Sequence, residues 1–359
     1  MKGLLTHLLA VLGGISLILL WPKTRDKTAL HTEHVDRNDS IKARIVQASS
    51  VTKLLDQTQS NQIQPVLRSS HSEPISREQL EGWLNSKNNN PHSYGEARVI
   101  AGLILDDHDL IRQGIDTDPE NPHLLFIGAT LPEFSKEERL VMSTRLVAAD
   151  PQNALSGFIL AGHLLEAGQP EEAIQTLRKS NQSKQVYDFR TQTQLSTEDA
   201  YIAAGLAPNT AKSRSTLDLT IGYLSDLKTL AKSLKGMEGS MSLEDASELR
   251  ELTALMGQRL SEESKSGTMI DRLVGIAIEE ITLSGIPEQE PSPYNGMNIR
   301  QAKESIAADR KEIKDLIDDF DDRQNQLLND PELMSRYIDR LRLRGEFSAT
   351  KWLREGTKR

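Results

Sequence analysis

DPQNALSGFILAGHLLEAGQPEEAIQTLRKS, residues 150–180, is the stretch of the chain whose spacing implies a specific architecture. Apolar side chains recur at helical spacing on both sides of Gly168. Glycine suits the point at which one helix stops, because it adopts backbone conformations that a helix does not use. The stretch therefore predicts two short amphipathic helices joined at a turn.

A short motif repeats ahead of this hairpin. DPEN at 118–121 recurs as DPQN at 150–153, and NPH at 90–92 recurs at 121–123. Proline favours the first position of a helix, where its missing amide hydrogen costs nothing. Because periods of 20 to 50 residues are typical of stacked helical units, we expect three units, near 92–119, 120–151 and 152–185.

The last unit carries small residues and leucines at set positions, namely Leu160, Ala161, Leu164, Gly168, Ala173 and Leu177. With these residues the unit at 152–185 resembles a tetratricopeptide repeat, a helix-turn-helix module that stacks into a superhelix. It departs from that family at Gly157, where the family has tryptophan, and at Ser180, where alanine is usual. The unit at 120–151 departs further. The resemblance implies a concave protein-binding surface and no catalysis.

Composition supports an all-α fold. Only 4% of the 359 residues are aromatic, and leucine, isoleucine, alanine and methionine supply most of the apolar content, a mix typical of packed helices. The chain has no cysteine, which excludes disulfides, thiolate zinc sites and cysteine nucleophiles. A net charge of −9 argues against nucleic acid as a partner, since phosphate binding depends on accumulated lysine and arginine.

The amino terminus predicts a membrane anchor. Residues 3–21 contain no charged side chain, and as a helix they would cover roughly 28 Å, close to the thickness of a bilayer core. A cleaved signal peptide is the alternative, although Ile18–Trp21 are large where a peptidase needs small residues. Lys23, Arg25 and Lys27 favour a cytoplasmic body. An apolar segment at the extreme start usually exports the rest of its chain, so we place the body of a single-pass protein outside the cytoplasm.

Changes in composition divide the rest of the chain. A polar tether precedes a capping box at Ser76, which opens the ordered body, and PEQEPSPYNG marks a linker near residue 290. The predicted domains are an anchor (1–22), a tether (23–75), tetratricopeptide-like helical repeats (76–210), a helical bundle (211–286), a linker (287–297), and a long helix with a carboxy-terminal hairpin and basic tail (298–359).

The long helix carries an apolar residue at every seventh position: Ile299, Ile306, Ile313, Phe320 and Leu327. Such a seam faces a partner helix. The companion positions include Asp309 and Arg323, which suit a self-sufficient dimer poorly. We therefore favour an antiparallel pair within the chain, with the helix opened by Asp330 and Pro331. Self-association through residues 298–329 is the alternative.

The tail is basic and contains two aromatic residues. Its cations could contact an anionic surface, or they could form an ordinary charged helix face. The candidate contact residues are Arg340, Arg342, Arg344, Lys351 and Arg354.

No local motif of catalysis is present: we find no nucleophile elbow, phosphate loop, dinucleotide glycines or zinc helix. We predict no catalytic residue, no cofactor and no metal ligand. The sequence is best interpreted as a membrane-anchored helical-repeat scaffold for an unidentified protein or peptide partner. The alternatives are an assembly protein that self-associates through the long helix, and an enzyme whose catalytic residues are not local in sequence.

Overall fold

The computed structural model describes residues 74–356, apart from 219–221, 264–266 and 295. Within them the chain forms fourteen α-helices and no strand, so the prediction of an all-α fold is confirmed. The helices are α1 (Arg77–Lys87), α2 (Pro91–Leu105), α3 (His108–Thr117), α4 (Pro122–Thr130), α5 (Lys136–Ala149), α6 (Ala154–Glu166), α7 (Pro170–Ser180), α8 (Arg190–Ala203), α9 (Pro208–Leu217), α10 (Tyr223–Met237), α11 (Leu243–Glu263), α12 (Met269–Leu283), α13 (Ile299–Asn329) and α14 (Pro331–Gly356).

The membrane part of the predicted fold needs correction. None of the helices in the described chain is both long enough and apolar enough to span a bilayer. On this finding the predictions of a transmembrane helix, and of a single-pass protein with an extracytoplasmic body, are wrong. Residues 3–21, on which those predictions depended, lie outside the described residues. The tether at 23–75 also lies outside them, except for its last two residues.

Each copy of the repeated motif forms the same corner between two helices. Asp118 ends α3 and Asn121 caps α4, while Asp150 ends α5 and Asn153 caps α6. In both corners the asparagine amide donates to the aspartate carboxylate, at 2.8 Å in the first and 3.0 Å in the second. The prediction that these motifs lie where one helix stops and the next starts is confirmed.

The start of α8 does not follow the local sequence signal. Ser196–Asp199 has the form of a capping box and would place a helix start there, yet α8 already begins at Arg190. The residue before it, Phe189, takes the left-handed conformation with φ of 55° and is only 5% exposed. It packs against the rings of His123 and Phe126. Tertiary packing of Phe189 sets the start of the helix about two turns before the position that the local capping signal indicates.

Three helical hairpins are closed by residues without bulky side chains. A Cβ added at Gly95 of α2 would lie 2.9 Å from the Gly114 carbonyl of α3, and one added at Gly257 of α11 would lie 2.9 Å from the Gly275 carbonyl of α12. Between α6 and α7 a Cβ at Gly157 would lie 2.8 Å from the Ser180 Cβ and would overlap its hydroxyl. The two positions at which unit 152–185 departs from the tetratricopeptide family therefore face each other, and a tryptophan at 157 has no space.

A kink in α14 ties the carboxy terminus to α12. Gly345 has φ of 77° and ψ of 164°, a combination that glycine adopts readily and other residues rarely. The break brings the amide of Glu346 to 2.9 Å from the Gly267 carbonyl and its carboxylate to 2.7 Å from the Met269 amide. Burial raises the pKa of Glu346, although the hydrogen bond from the Met269 amide acts in the opposite direction.

Arg190 is the hub of a buried charge network. Its guanidinium lies 2.8 Å from Asp188 and 3.2 Å from Asp271, and its side chain is 10% exposed. The Tyr223 hydroxyl donates to the same two carboxylates. Burial alone would lower the pKa of Arg190, but the charges of Asp271 and Asp188 outweigh burial and raise it. One cation therefore joins α8, α10 and α12.

The main hydrophobic core does not stop at the boundary predicted at residue 210. Val99, Phe158, Leu227 and Ile278 belong to one buried cluster. A second cluster lies beneath α1, α2 and α8. From Pro74 onward the chain forms one compact unit.

The close approach of α6 and α7 predicts that alanine will change the stability of the protein in opposite directions at two glycines of α6. Gly157→Ala should lower the free energy of unfolding of the full chain by about 1–3 kcal/mol through overpacking. Gly162→Ala has nothing within 4 Å of the new Cβ and should raise it by up to about 1 kcal/mol. Denaturant unfolding measures both values.

Ser180→Gly provides the matching test of this contact. Combined with Gly157→Ala it should cost less than the sum of the single changes, because the overlapping side chain is removed. Additive effects, or equal effects of alanine at 157 and 162, would show that the two helices do not meet at this point.

Candidate functional site

A cleft of about 280 Å³ lies between α6 and α10, and Pro170 at the start of α7 closes one side. Its walls are mainly apolar, and the apolar side chains are Phe158, Ile159, Leu165, Leu227, Leu230 and Met237. Polar side chains also line it, namely His163, Glu166, Asp226, Thr229 and Ser233. An apolar concavity with a few polar groups is the usual form of a binding site.

His163 is the most unusual polar group of this cleft. It is 4% exposed, and its Nδ1 lies 3.1 Å from the Ser143 hydroxyl. That hydroxyl also lies 3.0 Å from the Leu140 carbonyl, to which it can donate. Nε2 is buried and has no hydrogen-bond partner in the part of the chain that the structure describes.

Burial keeps this histidine neutral. Removal from water, reinforced by the charge of Arg139, lowers the pKa of His163 to about 4. At neutral pH the ring is therefore uncharged.

Arg139 balances the two carboxylates of the cleft. Its guanidinium lies 3.6 Å from Glu166 and 3.7 Å from Asp226, and its side chain is 12% exposed. Lys136 lies 3.9 Å from Glu166. Burial raises the pKa of Asp226 in spite of the nearby Arg139. The charged end of the cleft is thus close to neutral overall.

A second polar cluster has the order of a catalytic triad. His123 Nε2 lies 2.8 Å from the Thr193 hydroxyl, and His123 Nδ1 lies 3.5 Å from Glu96. In hydrolases this order of acid, imidazole and hydroxyl activates the hydroxyl as a nucleophile. Here His123 is 1% exposed and Thr193 is 5% exposed. The hydroxyl is therefore closed to a substrate, and the cluster joins α2, α4 and α8.

Glu279 is a buried carboxyl between α11, α12 and the linker. It accepts from the Tyr294 hydroxyl at 2.8 Å and from the Ser261 hydroxyl at 2.9 Å. Burial raises the pKa of Glu279 to about 7, although both hydrogen bonds act in the opposite direction. The neighbouring Glu280 pairs instead with Arg310. The predicted linker is thus held to the body through Tyr294.

The structure places the predicted repeat-packing residues around the α6–α7 hairpin. Leu160, Ala161, Ala173 and Leu177 are buried, and Leu164 is half-buried against the main core. Gly168 lies in the turn with φ of 75°. These residues form the back of the hairpin whose other face lines the cleft.

The predicted seam is buried inside the same chain. Ile299, Ile306, Ile313, Phe320 and Leu327 are each no more than 5% exposed. The Phe320 ring packs on Tyr337 of α14 at 5.5 Å between centroids. Ion pairs Glu312–Lys351 and Asp319–Arg354 join the two helices further along. The seam therefore faces its own neighbours and is not open to a second copy.

The predicted basic contact residues are not brought together on one face. Lys351 and Arg354 pair with carboxylates of α13. Arg342 is 6% exposed, and it pairs with Glu198 and donates to Ser215. Arg340 and Arg344 are exposed, and Arg340 lies over the Trp352 ring.

Sequence reasoning did not identify the cleft. Its walls come from α6 and α10, which are separated in sequence by three helices, and the hydrogen bond of His163 is made with Ser143, 20 residues away. A weak signal exists in Gly162, a glycine inside an apolar helix that is not needed for close packing. In the described chain no three His, Cys, Asp or Glu side chains are arranged to hold a metal ion.

Comparison with known proteins adds no relative. The chain matches no family model, no curated protein and no solved structure. The likeness of residues 152–185 to a tetratricopeptide repeat thus stays a prediction from the sequence, and the candidate site depends on its geometry alone.

The pKa of His163 predicts a pH-dependent stability. Between about pH 6.5 and pH 4, His163 is protonated in the unfolded chain and neutral in the folded chain. Stability is therefore fully present above pH 6.5 and falls as the pH approaches 4, by up to about 3 kcal/mol. His163→Asn keeps a donor for Ser143 and should remove this loss.

The measurement is the difference in free energy of unfolding between wild type and variant across this range. This difference between the two proteins is needed because Glu279 changes the stability in the opposite direction, and its contribution cancels when the two curves are subtracted. Its raised pKa makes the folded chain bind a proton first as the pH falls from about 7 to 4.5, which adds stability. Parallel pH curves for wild type and His163→Asn would contradict the assigned state of His163.

Arg342 and Arg344 offer a matched pair on the tail. Arg342→Met leaves the Glu198 carboxylate, whose side chain is 16% exposed, without its cation, and should cost about 1–3 kcal/mol of stability. Arg344→Met changes an exposed residue and should stay within about 0.5 kcal/mol. Thermal and denaturant unfolding of the full chain compare the two, and similar stabilities would refute the buried pair.

Proposed function

We propose that this protein is a binding module for a peptide segment of a partner protein, that the α6–α10 cleft is the binding site, and that no reaction is catalysed there. The observation that carries the proposal is the cleft itself, with mainly apolar walls and a few polar side chains. Binding at such a place removes apolar surface from water.

The size of the cleft favours a side chain over a whole small molecule. Pockets for drug-sized ligands measure about 300–1,000 Å³, and this cleft, at about 280 Å³, lies just below that range. A peptide can place one anchoring side chain in such a space and lie across the rim. Anchors of this kind supply most of the binding energy in protein interfaces.

The frame around the cleft is suited to recognition. The wall formed by α6 is braced from behind by α7 at the Gly157–Ser180 approach. The other wall, α10, is held at its first residue by the hydrogen bonds of Tyr223. A wall that is already ordered has little conformational entropy to lose when a ligand binds.

The sequence supports the same proposal. The resemblance of residues 152–185 to a tetratricopeptide repeat implies a protein-binding surface, and α6 is the first helix of that unit. The alternative of self-association through residues 298–329 has less support, since its seam residues are buried within the chain.

Gly162 provides the test. It lines the cleft and has open space around an added Cβ, so Gly162→Leu should fill the cleft without disturbing the fold. Peptides selected on the immobilised full chain from a random phage-displayed library should bind the wild type and lose about tenfold or more in affinity to Gly162→Leu.

Gly82→Leu is the matched control. Gly82 is also a helix glycine with nothing within 4 Å of an added Cβ, and it lies in α1 away from the cleft. Both variants gain helix propensity equally. Peptides that bind Gly162→Leu as well as they bind Gly82→Leu would refute the cleft as the site, and a selection that enriches no peptide would count against the proposed function.

A further inference from the structure

We propose that Tyr294 and Glu279 form a pH-sensitive latch, which holds the linker at 287–297 against α11 and α12 while the Glu279 carboxyl is protonated and releases the linker when that carboxyl ionises. Neither residue is among the described residues that line the α6–α10 cleft. The latch is therefore a conformational device of the carboxy-terminal half of the chain, and it is independent of the proposed binding function.

The Glu279 carboxyl connects three segments of the chain. It belongs to α12, is 7% exposed, and accepts from the Ser261 hydroxyl of α11 at 2.9 Å and from the Tyr294 hydroxyl of the linker at 2.8 Å. Among the described residues of the linker, Tyr294 alone makes a side-chain hydrogen bond to α11 or α12. The contact between Tyr294 and Glu279 is therefore the point at which the linker is fastened to this helical hairpin.

The surroundings of Glu279 oppose its ionisation. Burial is the main cause that raises the pKa of Glu279 to about 7, and the charges of Asp309 on α13 and Glu262 on α11 add to it. The two hydrogen bonds act in the opposite direction but do not outweigh burial. A negative charge on Glu279 is therefore unfavourable while the linker covers it.

The cations beside this site are bound to other groups. Arg310 of α13 pairs with Glu280, the neighbour of Glu279, at 2.6 Å. Arg272 of α12 donates to the Ser261 carbonyl at 3.2 Å. The charged side chains of the linker itself are carboxylates and are exposed. Within the described chain, an ionised Glu279 thus has no ion-pair partner to offset its burial.

The linker is the side of this carboxyl that can open. On the other side, a Cβ added at Gly257 of α11 would lie 2.8 Å from the Glu279 Cγ, and the two helices are closed against each other at Gly257 and Gly275. The linker is exposed over 287–291, and its backbone bonds lead to the start of α13, where the Ile299 amide donates to the Glu290 carbonyl at 3.0 Å. Water therefore reaches Glu279 most readily when Tyr294 moves away.

The effect of pH follows from the proton that the closed latch holds. With the latch closed the pKa of Glu279 is about 7, and with the latch open the hydrated carboxyl returns toward its ordinary value of 4.5. The closed form is therefore fully favoured below pH 4.5, and it loses this advantage as the pH rises to about 7. Burial and the charge of Glu279 also raise the pKa of Tyr294, so its hydroxyl remains a donor throughout.

Hydrogen exchange of backbone amides in the full chain tests the latch. The amides of Met297 and Ile299 donate to the carbonyls of Tyr294 and Glu290, so release of the linker exposes them. The quantity to compare is the protection factor, the exchange rate of an unstructured peptide at the same pH divided by the measured rate. Between about pH 5.5 and about pH 8 it should fall roughly tenfold or more for both amides. Low concentrations of urea should not change it, because local release exposes little surface.

Three variants assign the effect to the latch. Glu279→Gln cannot ionise, so the two protection factors should be the same at both pH values. Tyr294→Phe removes the hydroxyl, so both amides should exchange rapidly at either pH. Glu290→Gln is the matched control, because it neutralises an exposed carboxylate of the same linker and leaves the latch intact. Its protection factors should fall with pH as those of the wild type do.

The opposite outcomes are equally distinct. Equal protection factors at the two pH values in the wild type, or a fall that persists in Glu279→Gln, would overturn the latch. Exchange that responds to urea as strongly as that of the α12 amides would overturn it as well, since Glu279 would then reach water only when the whole chain unfolds. If Glu279→Gln fails to fold, as thermal unfolding would show, the pH and urea series of the wild type and Tyr294→Phe still decide.

Discussion

The buried cation of Arg190 joins helices that lie far apart in sequence. It pairs with Asp188 beside it and with Asp271 at the start of α12, 81 residues away. Asp271 in turn caps α12 at Thr268, and Glu346 of α14 binds the next amide, that of Met269. Loss of the cation would leave two carboxylates in a poorly hydrated place, which is far more costly than loss of a surface pair. The register of α8, α10, α12 and α14 therefore depends on one ion-pair network.

Close helix approach is the second constraint, and it explains where the chain departs from the family it resembles. A small residue at a helix crossing lets two backbones come together and excludes a large partner side chain. Because Gly157 meets Ser180, the tryptophan of the tetratricopeptide family cannot stand at 157. The same device recurs at Gly95 with Gly114 and at Gly257 with Gly275. Glycine pairs in mid-helix thus mark the hairpins of this protein better than the family pattern does.

The buried polar groups of this fold differ in which of their atoms have a hydrogen-bond partner. The Glu96–His123–Thr193 cluster satisfies the imidazole Nε2 and excludes a substrate by burial. His163 has its Nδ1 satisfied by Ser143, while its buried Nε2 has no hydrogen-bond partner among the described residues. The difference comes from the second helix that each histidine meets, since α8 brings a hydroxyl to His123 and α10 brings mainly apolar side chains to the cleft.

The local part of this structure could be predicted from the amino-acid sequence: the all-α class, the aspartate and asparagine corners at 118–121 and 150–153, and the heptad seam from Ile299 to Leu327. These features depend on residues within one or two helical turns, so they can be recognised in a linear pattern. The start of α8 at Arg190, the burial of Arg342, and the cleft beside His163 emerge only in the folded chain. Each of these depends on groups that are distant in sequence, such as Ser143 for His163 and Glu198 for Arg342. A pattern along the sequence does not show which distant side chains will be in contact. The geometry of the candidate site is set by those long-range contacts.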